Sequence, residues 1–166
     1  MPRKDPAKLT SVKIKIPWVG EAEWNADPKE RNAAWSLYVE LVTRISVQAL
    51  PANEGSLREV LTSLHSLFDS TRQILKAAGP DIGASITSVG GIAIAVLNRG
   101  IRPFLSRWHP ALSDWELRRD ASLSPGEHER KWPELNHFRS ELSKLRVDLE
   151  SYSEGLATIA GVTIQQ

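Results

Sequence analysis

From Val12 to Ile16 the chain alternates apolar and basic residues, and this period of two predicts a half-buried strand that Pro17 ends. No comparable alternation follows. Residues 1–26 therefore read as a polar tail and an extended arm, laid across helices or lent to a partner by strand addition, with Trp18 and Trp24 bracketing a short loop. Beyond the arm the period changes to that of a helix. Asp27-Pro28 with Glu30 is a helix start, and Ala34, Trp35, Tyr38, Leu41, Val42 and Ile45 form an apolar face, which predicts a first helix over 27–50 ended by Pro51. Ser56 with Glu59 opens a second over 56–78, its stripe running Leu57, Val60, Leu61, Leu64, Leu67, Phe68 and Leu75 up to Gly79-Pro80.

The third helix, expected over 85–118, differs in character. Residues 82–98 carry no charge, and Gly90, Gly91, Ala93 and Ala95 alternate with larger apolar residues. Such a segment predicts a helix buried on most faces, its glycines admitting close backbone approach; a membrane-active segment at 82–101 is the competing reading, disfavoured by Arg99 and Arg102. Pro103 and Pro110 predict kinks. Ser124-Pro125 with Glu127 starts a fourth helix over 125–160, where Leu135, Phe138, Leu142, Leu145, Leu149, Tyr152, Leu156 and Ile159 recur in heptad spacing before Gly161. Short connections favour antiparallel neighbours. The expected fold is all-α, an up-down-up-down four-helix bundle with an N-terminal extended arm and a long hairpin of the third and fourth helices, in one domain over 1–166.

Helix lengths do not match. The last two segments, near thirty-five residues each, would overhang the first two by about 20 Å if straight, at 1.5 Å per residue. Phe104, Leu105, Trp108, Leu112, Trp115 and Trp132 lie in that overhang. Either the chain bends back at Pro103, Pro110 or Pro133, or these six residues form a partner-binding tip of hot-spot composition, for a protein partner or for self-association.

Composition narrows the chemistry. A chain of 166 residues with 41% hydrophobic and 25% charged residues is expected to bury one core, and a net charge of +1 supplies no general field for polyanions. Zero cysteines exclude a disulfide framework, a thiolate metal site and a cysteine nucleophile. The start, Met-Pro-Arg-Lys-Asp-Pro, lacks the apolar stretch of a signal peptide, so a cytoplasmic setting is expected. Basic clusters at residues 1–15 and 99–119 leave nucleic-acid contact open without favouring it. Glu134 and His137 have di-iron spacing in a single copy only, where such a site needs two, and no nucleophile elbow, phosphate loop or dinucleotide fingerprint occurs. No cofactor, metal or cofactor-binding residue is expected.

Arginine precedes histidine by seven positions three times, at Arg58 and His65, Arg102 and His109, and Arg130 and His137. This spacing resembles the Arg-x(4–6)-His motif of the HEPN family, all-helical RNases of bacterial conflict systems. The resemblance implies catalytic roles at Arg58, as phosphate and transition-state stabiliser, and at His65, as general acid and base. The residue after the family's arginine, usually polar, is Glu59, Pro103 or Lys131 here, and Pro133 breaks the third pair's helix. The run Arg102-Pro-Phe-Leu-Ser-Arg-Trp-His-Pro-Ala-Leu-Ser-Asp-Trp-Glu116 is similar to runs in small uncharacterised bacterial proteins encoded beside antiphage or conflict-system effectors. That resemblance implies an accessory subunit and carries no site residue. The favoured reading is a non-enzymatic accessory or adaptor protein acting by protein contact, in bacterial antiviral defence and as an oligomer; a HEPN-like metal-independent RNase and a membrane-active effector are the alternatives.

Overall fold

Residues 12–16 form the expected strand, and a second strand pairs with it. In the computed structural model, which describes residues 11–24, 27–44, 47, 51 and 54–163, β1 (Val12–Ile16) and β2 (Gly20–Trp24) make an antiparallel hairpin. The fold is thus mostly helical with a small sheet, and the expected all-α class and unpaired arm are corrected. Apolar periodicity hides β2 because only Ala22 and Trp24 carry it; its other signal is charge, since the register sets Lys13 opposite Glu23 and Lys15 opposite Glu21. Ile14, Ile16, Ala22 and Trp24 face inward. The tail at residues 1–10 lies outside the described residues.

Helix α1 (Pro28–Val42) starts where local chemistry says it should, with the Asp27 carboxylate accepting from the Lys29 N–H at 2.8 Å. Its core face is Ala33, Ala34, Leu37 and Leu41, not the face centred on Trp35 and Tyr38. Small residues let α1 lie close on α6, its main partner, and leave Trp35 47% exposed. The helix ends at Thr43, short of the expected 50; Ile45 and most of the connection lie outside the described residues. Helix α2 (Leu57–Ala78) follows its cap, Ser56, and buries Leu57, Val60, Leu61, Leu64, Leu67 and Phe68.

The apolar third segment begins at 89 rather than 85, because a tight turn at Pro80–Gly83 and the bend after it bring Ile82 into the core first. Helix α3 (Val89–Ala95) is capped by Ser88, which accepts from Gly91 N–H at 3.1 Å, while Glu30 of α1 accepts from Val89 N–H at 3.1 Å. A π-helical stretch, Val96–Ile101, joins α3 directly to α4 (Arg102–Leu117). Pro103 has no N–H to give the preceding turn, and the widened turn just before it absorbs that mismatch without stopping the helix. No helix among the described residues is long and apolar enough to cross a membrane.

Gly91 shows what the small residues are for. A Cβ there would lie 2.1 Å from the Ser85 carbonyl oxygen, a backbone atom that cannot step aside cheaply. Gly91→Ala is expected to cost about 1–3 kcal/mol by overpacking, whereas Gly83→Ala, with open space around the added methyl, should stay within about 0.5 kcal/mol. Urea unfolding of the two variants reads the difference.

The expected fourth helix is two. Helix α5 (Pro125–Arg130) carries a reciprocal capping box, Glu127 N–H to Ser124 Oγ at 3.2 Å and Ser124 N–H to Glu127 Oε2 at 2.8 Å. Ser124→Ala is expected to lower stability by about 1 kcal/mol, visible as a small drop in melting temperature. The chain then breaks at Pro133 and resumes as α6 (Leu135–Ala160), closed by Gly161 at φ 75°. The heptad residues Phe138, Leu142, Leu145, Leu149, Tyr152, Leu156 and Ile159 all point into the core.

That break removes the overhang. Phe104, Leu105, Trp108, Leu112 and Trp132 are all buried, and only Trp115 is half-buried, so the expected partner-binding tip is not a surface. Trp132, just before the break, meets Trp108 edge to face at 5.7 Å, and Phe138 meets Trp108 at 5.3 Å. The bend at Pro133 satisfies the tryptophans within the chain.

Candidate functional site

Helices α2 and α4 pack against each other, and their facing polar residues bring two of the Arg/His pairs into one cluster. Seven residues is two helical turns, so each pair lies on one face of its own helix. Yet the contacts run between helices. Arg58 Nη1 sits 3.1 Å from His109 Nδ1, its Nε and Nη2 donate to the Glu116 carboxylate at 3.1 and 2.6 Å, and Nη2 also donates to Ser113 Oγ at 3.1 Å. Guanidinium only donates, so His109 Nδ1 is the acceptor and the neutral ring carries its hydrogen on Nε2.

His65 completes the arrangement from α2. Its ring centroid is 6.3 Å from that of His109, with the planes at 78°, and the same distance from Phe68. The Arg102 guanidinium stands 4.9 Å over the Phe68 ring, while its Nε donates to Asn98 Oδ1 at 3.1 Å. Both His65 and Arg102 are exposed, and His109 is half-buried. Two imidazoles of different exposure thus lie between Arg58, which is tied down, and Arg102, which faces solvent. Spacing along the chain singles out Arg58 and His65, but it does not disclose that His109, of the next pair, is the neighbour of both across the helices.

The third pair does not assemble. His137 lies between the carboxylates of Glu134 and Glu141, and it is Arg107, not Arg130, that approaches its Nδ1, at 3.4 Å. No group of three or more metal-ligating side chains occurs among the described residues.

Beside the seam lies a pocket of about 420 Å³, and Arg58 lines it too. Trp115 and His128 stack face to face at 4.3 Å with a 6° interplanar angle, and they exchange hydrogen bonds: the Trp115 indole N–H donates to the His128 carbonyl, and His128 Nε2 donates to the Trp115 carbonyl. On the same wall Glu129 accepts from the Leu57 N–H at 3.1 Å, joining α5 to the first turn of α2. Burial pushes the Glu129 carboxyl above the usual range, against the opposing pull of that hydrogen bond. Glu116 and Arg119 complete the polar rim.

No known family, characterised protein or solved structure matches this chain.

Proposed function

We propose that the seam between α2 and α4 cleaves RNA through its own side chains, by attack of the 2′-hydroxyl on the adjacent phosphate. The observation that supports this reading is the crossing of the two Arg/His pairs, which sets the His65 ring 6.3 Å from that of His109 and leaves Arg102 facing solvent over the Phe68 ring that His65 also neighbours. His65 takes the 2′-hydroxyl proton as the 2′-oxygen–phosphorus bond forms. The same imidazolium returns a proton to the 5′-oxygen as the phosphorus–5′-oxygen bond breaks, leaving a 2′,3′-cyclic phosphate. Arg102 and the His109 Nε2–H stabilise the charge that builds on the non-bridging oxygens. Arg58 has its donors committed to Glu116, Ser113 and His109, so in this scheme it orients His109 and does not carry the phosphate.

The test is cleavage of a short single-stranded RNA by purified protein, followed by detection of the cyclic phosphate. His65→Ala should lower it by at least about a hundredfold. Cleavage unchanged in that variant, or absent from the wild type, ends the proposal.

A second reading keeps the accessory or adaptor role, in a defence setting and within the four-helix up-down-up-down layout. Its support is the α1 surface, where exposed Trp35 stacks on Tyr38 at 5.8 Å and exposed Val39 lies one turn on. Loss of a copurifying protein in Trp35→Ala, with the fold intact, would favour it.

A further inference from the structure

We infer that the pocket beside the seam holds a nucleobase and selects guanine through the Glu129 carboxylate, so that the strand is cut next to guanosine. The cutting rests on the proposed function of the seam; the binding does not. Size comes first, since about 420 Å³ lies within the range that encloses a ligand of nucleotide dimensions. Position follows from Arg58, which lines the pocket and also touches His109, so a base seated here has its own phosphate at the seam.

Selectivity follows from donor and acceptor arithmetic. An ionised carboxylate only accepts, and guanine alone among the four bases offers two adjacent donors on one edge, the N1–H and the 2-amino group. Adenine places an acceptor beside its amino group. Uracil flanks its single ring N–H with two carbonyls, and cytosine sets its amino group beside an acceptor nitrogen, so each would turn a lone pair toward one carboxylate oxygen. Glu129 is held in place for this task by the Leu57 N–H, and its partly desolvated surroundings strengthen any hydrogen bond it accepts. Trp115 and His128, stacked on each other, both line the pocket as a rigid aromatic pair, and Arg119 puts a second cation on the rim for backbone phosphate.

The experiment is calorimetric titration of the full chain with GMP, AMP, CMP, UMP and IMP, alongside the cleavage assay on RNAs of each base. GMP should bind at least tenfold more tightly than AMP, CMP or UMP. IMP, which lacks the 2-amino group, should lose about tenfold relative to GMP in the wild type, a comparison that needs no variant. Glu129→Gln should erase the preference, while Glu154→Gln, outside the pocket, should retain it. Equal affinity for all five nucleotides, or no binding, overturns the inference. Guanine-selective binding without RNA cleavage upholds the pocket and removes the seam reaction; cleavage beside every base without guanine preference does the reverse.

Discussion

Trp108→Ala is expected to destabilise the protein by about 3–5 kcal/mol, the range for deleting a large buried aromatic. For a chain of this length that corresponds to a fall of about 6–20 °C in melting temperature. Trp108 is 1% exposed and sits at the centre of an aromatic cluster, edge to face with Trp132, Phe138 and His137. Its indole N–H donates to Glu141 Oε2 at 2.7 Å, and the Arg107 guanidinium covers the ring at 4.7 Å. Truncation leaves a cavity bounded by rigid rings on α4, the 131–134 break and α6, which cannot collapse without moving the break itself. The exposed Trp35 provides the contrast: Trp35→Ala should stay within about 0.5 kcal/mol. Thermal unfolding of the two variants separates a core tryptophan from a surface one. Equal, small effects would restore the idea that residues 104–132 form a partner-facing tip.

What the chain discloses before folding depends on how local the cause is. Asp27, Ser56 and Ser124 each cap the helix that follows, because a cap is decided by a few neighbouring residues. The glycines of α3 are likewise legible, since an uncharged, glycine-rich helix has little use except close approach, and the Ser85 carbonyl is what comes close to Gly91. β2 is illegible by hydropathy, as its partner register is written in charges. The tryptophan overhang presumes two straight rods, whereas the chain turns at Pro133 and Trp132 folds onto Trp108. The π-helical turn before Pro103 leaves no mark on apolar spacing, although Gly100 inside it is the point where Trp18 docks: a Cβ there would meet the indole at 2.6 Å. The candidate site falls between these cases. All four of its Arg and His residues stand out by spacing, but pairing within a helix is a property of sequence, and crossing between helices is a property of antiparallel packing.

The cluster gives its members different jobs, and the variants should differ accordingly. His65→Ala removes the proton carrier and is expected to lower RNA cleavage by about 10²–10⁴-fold, the usual worth of a positioned general acid and base. Arg102→Ala removes one charge-stabilising donor and should cost about 10²–10³-fold. Neither change should move stability much, since both side chains are exposed. Arg58 is the informative position. Its ion pair with Glu116 is part-exposed, at 29% and 42% for the two side chains, so losing it should cost at most about 1 kcal/mol of stability. A merely structural Arg58 would therefore leave cleavage as it was. As a positioning residue it does more: Arg58→Met frees His109 Nδ1, and the neutral ring redistributes between tautomers. Nitrogen NMR of the imidazole would register that redistribution directly, and cleavage should fall by about tenfold, equivalent to about 1.4 kcal/mol of transition-state stabilisation. An unmoved His109 nitrogen spectrum alongside lost activity would transfer the phosphate-binding role back to Arg58, whose guanidinium would then have to exchange Glu116 for substrate.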